Sequence, residues 1–238
     1  MYLHFLFSAL ALCLLNYLLG AYKSYKMADT NHHQYKLLYF DTPGRAEHIR
    51  YIFAYAGVDY EDFRIQKEKW PELKKTTPFG KVPVLEIDGK PVAQSNSIAR
   101  YLAKKFGLGG KDEWESLQCD VLVDTLGDLQ ASVMQVMKEP DPIKREEIRA
   151  RVTKEELPFY LSKFEKIVKD NGGYSVGNDV TWSDLVFAVL LDQFESMYGK
   201  TALNGYPSLK NLKEKIHNVP GVKNYLEKRP PRSPLPRQ

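Results

Sequence analysis

The chain has 238 residues, of which 43% are hydrophobic and 27% charged, and its formal net charge at pH 7 is +4. This composition is typical of a soluble globular protein with one large domain or two small ones. The small net charge excludes a basic surface of the kind that binds nucleic acid. Cys13 lies in an apolar run, so it forms no disulfide framework with Cys119, and this favours a reducing compartment.

Residues 1–26 form an apolar N-terminal segment, in which the run 2–22 carries no charged side chain. About 20 helical residues span the hydrocarbon core of a bilayer, so this run predicts a membrane anchor. Lys23 and Lys26 follow the run and no lysine or arginine precedes it, which places the globular part in the cytosol. A cleaved signal peptide is one alternative, and an artefact of the start site, with translation beginning at Met27, is the other.

The next segment, residues 33–110, alternates between strand and helix patterns. Gly57 is predicted to cap the first helix, and the Asp88-Gly89 pair to turn a hairpin. This order of elements predicts a small mixed sheet with helices on both faces, an α/β domain of the thioredoxin-like kind. The predicted elements are strands at 35–40, 60–65, 82–87 and 91–92, helices at 46–56 and 95–106, and a short helical or irregular segment at 67–75.

Residues 112–230 show no strand pattern and predict an all-α helical C-terminal domain. Thr181 and Asp184 have the spacing of a capping box, which predicts the start of a helix there. Residues 231–238 are rich in proline and predict a disordered tail. Two further long helical patterns run over 114–136 and 143–169.

Two short motifs predict a site for a small peptide. Pro83 cannot donate to a sheet ladder, so Val82-Pro83 belongs at the start of a strand. A cis turn there leaves the backbone N–H and C=O of Val82 to pair with an extended peptide. Further along, Gln94-Ser95 opens a helix, whose unpaired N–H groups and positive dipole end suit a carboxylate.

Other motifs accompany these two between Tyr35 and Pro230, at residues 35–40, 44–47, 50–55, 60–62, 70–71 and 123–125. Together the motifs resemble those of the glutathione transferases, and among them the sigma class, which includes the haematopoietic-type prostaglandin D synthases. The resemblance covers most of the chain. It implies the glutathione transferase fold, in which a thioredoxin-like N-terminal domain binds glutathione and an all-α domain follows.

The resemblance implies an enzyme that conjugates the thiolate of glutathione to apolar electrophiles, such as products of lipid peroxidation, in detoxification. Glutathione is then a co-substrate, no cofactor or metal is needed, and the enzyme is a homodimer. The enzymatic alternative is a glutathione-dependent prostaglandin D synthase, isomerase or peroxidase. A non-catalytic crystallin-like or glutathione-binding protein is an alternative of another class, and the presence of Tyr39, Arg45, Gln94 and Ser95 argues against it.

Two departures from the family pattern weaken the prostaglandin synthase alternative. Those enzymes have a third acid between the positions of Asp124 and Asp128, where this chain has Gly127. Two carboxylates are a poor site for a hard cation that takes six oxygen ligands, so no metal is expected. Those enzymes also have a tryptophan where this chain has Gln135.

Tyr39 and Arg45 are the catalytic residues that the resemblance implies. A thiol with a pKa of about 8.5 is mostly protonated at neutral pH, and a tyrosine hydroxyl stabilises its thiolate by a charge-assisted hydrogen bond. The resemblance assigns this donor role to Tyr39, at the end of the first strand. It assigns Arg45 the electrostatic support of the tyrosine and the thiolate.

The remaining binding residues are also implied by the resemblance. Asp128 would reach across a dimer to the γ-glutamyl amine of the glutathione bound by the partner. The hydrophobic substrate is expected between Tyr39 and the helix that carries Met134 and Met137, because methionine adapts to varied shapes. Further contacts with glutathione are implied for Trp70, Lys74, Lys81, Val82, Pro83, Gln94 and Ser95.

Overall fold

The computed structural model describes residues 33–230, so the predicted anchor at 2–22 and the predicted tail at 231–238 lie outside the described residues. Within residues 33–230, no helix combines the length and the hydropathy that crossing a membrane requires. Residues 35–230 belong to one compact unit.

The N-terminal part of this unit is built on a four-stranded mixed sheet. Strands β1 and β2 are parallel, and β3 is antiparallel to both β1 and β4, in the spatial order β2-β1-β3-β4. This is the predicted mixed sheet of a thioredoxin-like domain. The strands are β1 (Tyr35–Phe40), β2 (Glu61–Ile65), β3 (Val84–Ile87) and β4 (Lys90–Ala93).

The two faces of β1 bury different partners, because successive side chains of a strand point to opposite faces. Tyr35 packs against Phe53 of the first helix, with ring centroids 5.2 Å apart. On the opposite face, Leu38 joins Ile65 and Val84 in a buried cluster. Both faces of the sheet are therefore covered, as the order of elements predicted.

Strand β3 begins at Val84, two residues later than predicted. Pro83 has no backbone N–H for the ladder, so pairing with Leu38 of β1 and Ala93 of β4 starts at Val84. The Val82–Pro83 peptide bond is cis.

The helices of the N-terminal part follow the predicted pattern. A 3₁₀ turn over Gly44–Ala46 precedes the first helix, which ends where Gly57 adopts a φ of 65° as its cap. A second 3₁₀ turn over Lys67–Lys69 leads into the next helix. The helices are α1 (Glu47–Ala56), α2 (Trp70–Thr76) and α3 (Ser95–Lys105).

The C-terminal part of the unit is helical, as predicted. Its helices are α4 (Glu113–Lys138), α5 (Pro142–Arg151), α6 (Leu157–Asp170), α7 (Trp182–Tyr198), α8 (Pro207–His217) and α9 (Pro220–Lys228). A π-helical turn over Val152–Glu156 joins α5 to α6 into the continuous helical run expected over 143–169. The predicted capping box of Thr181 and Asp184 is confirmed at the start of α7.

Helix α1 lies where the two parts of the unit meet. It packs against α3 on the N-terminal side and against α7 and α9 on the C-terminal side. The residues at the start of α1 are therefore enclosed by both parts, which places any site formed there at the junction between them.

Candidate active site

Tyr39 lies at the end of β1, half-buried, where the chain turns toward α1. Its phenolic oxygen accepts a hydrogen bond from the backbone N–H of Arg45, at 3.0 Å. A tyrosine hydroxyl has a single proton to donate, and accepting this bond leaves that proton for another partner. The turn therefore orients Tyr39 as a hydrogen-bond donor.

The close approach of the turn to Tyr39 requires glycine at position 44. Gly44 has a φ of 44°, in the left-handed region that other residues rarely adopt. A Cβ at this position would lie 2.3 Å from the Tyr39 hydroxyl oxygen, well inside van der Waals contact. Gly44 is thus part of what positions the tyrosine, although its side chain is a single hydrogen.

The buried guanidinium of Arg50 contacts the same turn. Arg50 of α1 is fully buried, and its Nη1 donates to the backbone oxygen of Thr42 at 2.9 Å. Its guanidinium carbon lies 5.9 Å from the centroid of the Tyr39 ring. A cation over a tyrosine face is attracted by the ring quadrupole. We infer that Arg50 positions both the turn and the Tyr39 ring.

No role was predicted for Arg50, although its position in the sequence carries a signal. Arg50 stands between Ile49 and Tyr51 in the middle of α1, where the neighbouring residues are all buried. A charge at such a position needs partners, and the structure supplies Asp62 at 3.2 Å and Glu47 at 3.2 Å.

Glu47 connects the start of α1 to the last described helix. Its carboxylate, 1% exposed, accepts hydrogen bonds from Arg50 at 3.2 Å, Tyr225 at 3.1 Å and Arg229 at 2.7 Å. Arg45 contributes nothing to this cluster, and its side chain is exposed. The electrostatic role of the Arg45 guanidinium stays a prediction, whereas its backbone N–H contacts Tyr39.

The helix start predicted to bind a carboxylate is present in the structure. Gln94 precedes α3 with a φ of 76°, a strained conformation for a residue other than glycine. The first N–H groups of α3 have no intrahelical acceptor, since the N–H of Ile98 is the first to pair, with the carbonyl of Gln94. Binding of a carboxylate by Gln94 and Ser95 at this helix start stays a prediction.

A cavity of about 160 Å³ lies between this helix start, the turn after Tyr39 and two helices of the C-terminal part. The lining from the turn and the helix start is mostly polar, whereas that from α7 is apolar and that from α4 is apolar except for Gln130. The lining residues are Gly44, Arg45, His48, Ser95, Asn96, Val123, Leu126, Gly127, Gln130, Val186, Val189 and Leu190. The structure thus brings Arg45 and Ser95 to one cavity beside Tyr39.

His48 is an unpredicted member of the polar side. It is 8% exposed, and within residues 33–230 its Nε2 has no hydrogen-bond partner. Burial lowers the pKa of the His48 ring to about 4, against the opposing effects of a hydrogen bond with the Ser95 backbone and of Glu47. The ring is therefore neutral at physiological pH.

The other predicted glutathione contacts belong to α2 and to the loop before β3. Trp70 packs against Phe40, with ring centroids 5.3 Å apart, and Trp70 and Val82 contact the same buried cluster. The Lys74 side chain lies along Gly80, 3.4 Å from the position that a Cβ there would take. Lys81 is exposed and Pro83 is buried. Their contacts with glutathione stay predictions.

The predicted residues of α4 have a different placement. Met134 and Met137 are 40% and 41% exposed and do not line the cavity. The apolar lining includes Leu126 of α4 and Val189 of α7, and a contact of Met134 and Met137 with the substrate stays a prediction. Asp128 is exposed on α4. Among residues 33–230, no group of three or more histidine, cysteine, aspartate or glutamate side chains could hold a metal ion.

The fold and the site define the class of protein. Residues 35–104 match the family model described as "Glutathione S-transferase, N-terminal domain", and residues 127–229 match "Glutathione S-transferase, C-terminal domain". The chain therefore belongs to the glutathione S-transferase family, an enzyme family that uses glutathione as a co-substrate and needs no separate cofactor.

Individual relatives support this assignment. The chain is 42% identical over 198 residues to glutathione S-transferase S1 of Drosophila melanogaster, covering 83% of this chain and 80% of that protein. The prostaglandin synthase D structure from Nilaparvata lugens is 40% identical, with a TM-score of 0.78, covering 83% of this chain and all of that one. A monomeric glutathione S-transferase from the hookworm Necator americanus is 36% identical, with a TM-score of 0.75, covering 83% and 98%.

Proposed function

We propose that this glutathione S-transferase is of the sigma class and conjugates glutathione to apolar electrophiles, with Tyr39 holding the thiolate. One observation carries the proposal. The Tyr39 oxygen accepts the Arg45 N–H at 3.0 Å, beside a cavity whose far wall is apolar. A hydroxyl whose lone pair is engaged in this way presents its proton to an incoming sulfur.

In this mechanism the thiol of glutathione loses its proton to water, and the Tyr39 hydroxyl donates a hydrogen bond to the resulting thiolate. The helix start at Ser95 binds the γ-glutamyl carboxylate, and the backbone of Val82 pairs with the cysteinyl part of the peptide. The electrophile lies in the cavity against α4 and α7. Positioning and a lowered thiol pKa supply the rate enhancement.

The test is a conjugation assay on the purified chain with 1-chloro-2,4-dinitrobenzene and with apolar α,β-unsaturated ketones. Glutathione-dependent turnover and retention on immobilised glutathione are expected. Retention without turnover of any electrophile would favour the non-catalytic crystallin-like alternative instead. Failure of both would contradict the proposal as a whole.

We also propose that the enzyme is a homodimer, formed in part by an apolar stripe on α4. Trp114, Leu117 and Val121 are 67%, 52% and 55% exposed, and their spacing places them on one face of the helix. Asp128 continues the same face two turns later. A stripe of this kind is typical of an interface, and it would carry Asp128 toward the site of a partner.

Light scattering tests the dimer, which should have about twice the chain mass of 27.4 kDa. Val121→Arg in the stripe should yield a monomer and raise the KM for glutathione, because Asp128 would no longer reach the partner's site. Ile143→Arg is the control, since Ile143 is 74% exposed but lies on α5, outside the stripe. A wild-type monomer, as in the hookworm relative, would contradict this proposal.

Prostaglandin D synthase activity is the second candidate, because one of the similar structures is a prostaglandin synthase D. Gly127 stands where the third acid of the metal cluster is expected in those enzymes. We therefore expect millimolar magnesium to change turnover little. A several-fold activation by magnesium that Asp124→Asn abolishes would favour the synthase.

We propose that the catalytic part acts in the cytosol. The support is Cys119, a buried free thiol, together with the need for reduced glutathione. Whether residues 2–22 anchor it to a membrane is tested by fractionation, where an anchored chain resists extraction with alkaline carbonate. A mature protein that begins at Ala21 in the medium would identify a signal peptide instead.

A further inference from the structure

His48 places a buried acceptor atom in the cavity. The conjugation mechanism proposed above gives this atom no role. Its side chain is 8% exposed and lines the cavity, and within residues 33–230 its Nε2 has no hydrogen-bond partner. The amide of Gln130, another polar group of the lining, already donates to Gln193 at 3.1 Å. A buried polar atom left unpaired costs free energy, so this nitrogen favours a ligand that supplies its partner.

The tautomer of the ring determines what that partner must be. Burial lowers the pKa of His48 to about 4, so the ring is neutral. Its hydrogen bond with the Ser95 backbone raises the pKa, which is the effect of a ring N–H that donates. A neutral imidazole has one donor and one acceptor nitrogen, so Nε2 is the acceptor. It pairs with a hydroxyl or an N–H and not with a carbonyl.

The apolar residues of the cavity determine the size and polarity of the rest of the ligand. Val186, Val189 and Leu190 of α7 and Val123 and Leu126 of α4 are the apolar side chains that line the cavity. The cavity volume is about 160 Å³. A dry apolar cavity of about 150 Å³ binds benzene, so this space suits one aromatic ring.

We propose that His48 makes this pocket selective for electrophiles with an apolar body of about one aromatic ring and a hydroxyl group that donates to His48 Nε2. The inference rests on the proposed function, because Gly44 and Arg45, which line the same cavity, flank Tyr39. With an α,β-unsaturated ketone, the thiolate sulfur bonds to the β carbon and the alkene π pair moves to the α carbon. A proton from water completes the adduct, and the hydroxyl group is unchanged.

Two matched ketones test this with the full chain: 4-(3-hydroxyphenyl)but-3-en-2-one and 4-(3-methylphenyl)but-3-en-2-one. A hydroxyl and a methyl group have similar size, and both kcat/KM values are divided by the uncatalysed rates. The wild-type enzyme should favour the hydroxyl compound. His48→Leu should reduce the hydroxyl-to-methyl ratio about tenfold, the effect of one buried hydrogen bond. His48→Gln, which retains an acceptor oxygen, should keep a higher ratio than His48→Leu.

Val186→Ile is the control, because it reshapes the opposite wall without a polar group and should change both rates alike. Equal ratios in the wild type and in His48→Leu would overturn the inference, while conjugation of the methyl compound leaves the proposed function standing. If neither ketone nor 1-chloro-2,4-dinitrobenzene is conjugated by the wild type, the proposed function fails instead.

A measurement on the wild-type protein tests the inference without relying on variants that must fold correctly. The unreactive 4-(3-hydroxyphenyl)butan-2-one should shift the ¹⁵N resonance of His48 Nε2 upfield, as hydrogen bonding to an acceptor nitrogen does. Its 3-methyl analogue should leave that resonance in place. Identical responses to the two compounds would also overturn the inference.

Discussion

The phenolic oxygen of Tyr39 and the backbone nitrogen of Arg45 are 3.0 Å apart, and their hydrogen bond joins the end of β1 to the turn before α1. The donor is a backbone group, so the bond does not depend on which side chain stands at position 45. Hydrogen bonds in a chain polarise one another, and a hydroxyl that accepts one bond is a better donor of the next. The turn therefore supports the proposed donation from the Tyr39 hydroxyl to the sulfur of glutathione.

Tyr39→Phe should raise the pKa of bound glutathione and reduce kcat/KM at neutral pH. One hydrogen bond to a charged group contributes about 1.5–3 kcal/mol, which corresponds to a fall of about 10- to 100-fold. The ultraviolet absorbance of the thiolate, followed against pH in the complex, measures this directly. Tyr101→Phe is the control, because Tyr101 is 44% exposed on α3 and lies outside the cavity lining. An unchanged thiol pKa in Tyr39→Phe would remove Tyr39 from its role.

Gly44→Ala should reduce activity nearly as much as Tyr39→Phe, because the new Cβ would lie 2.3 Å from the Tyr39 oxygen and displace the ring. Gly57→Ala is a matched control. Gly57 also has a positive φ, of 65°, but a Cβ there would meet nothing within 4 Å. It should cost about 1 kcal/mol of stability and leave the thiol pKa in place. Equal thiol pKa values in the two variants would show that Gly44 does not position Tyr39.

Glu47→Gln should lower the free energy of unfolding by about 3 kcal/mol, because the guanidinium groups of the cluster lose the negative charge of their carboxylate partner. Denaturant unfolding measures the change. Glu72→Gln serves as the control, because Glu72 pairs with Lys75 at 2.9 Å on the surface, where such pairs contribute at most about 1 kcal/mol. Similar losses in the two variants would contradict a structural role for the buried cluster.

His48 should make stability depend on pH between about 6.5 and about 4. Its folded pKa of about 4 lies below the ordinary value of 6.5, so in this window the unfolded chain binds the proton more readily. Stability is therefore full above the window and falls as the pH is lowered through it. Between about pH 7.5 and about pH 5, His48→Leu should lose about 2 kcal/mol less than the wild type does. Parallel curves for the two proteins would show that the ring is not held neutral.

The sequence predicted the structural elements whose patterns involve only residues close together in the chain. The alternation in β1, the glycine cap of α1 at Gly57 and the capping box at Thr181 each depend on a few neighbouring residues, and each is present as expected. The start of β3 was placed too early, because an apolar pattern does not show where ladder pairing begins. Only the partners of Val84 in β1 and β4 determine that position.

Candidate site residues could be proposed from motifs but not from packing. Tyr39, Arg45 and Ser95 were predicted from motifs, and the structure places all three at or beside one cavity, while their roles stay predictions. Val189 of α7 has no motif, because an apolar residue of a buried helix looks the same whether it lines a cavity or a core. His48 stands between Glu47 and Ile49 and belongs to none of the motifs, so the sequence did not mark it as a site residue.

The cluster around Glu47 also bears on how the protein is made. Its partner Arg229 is 182 positions later, so the charge at the start of α1 finds its last counter-ion only after nearly all described residues have been synthesised. Until then the Glu47 carboxylate of the nascent chain lacks the full set of partners that it has in the folded protein. Of the three partners of Glu47, only Arg50 is close in sequence, so the full cluster depends on the synthesis of Tyr225 and Arg229.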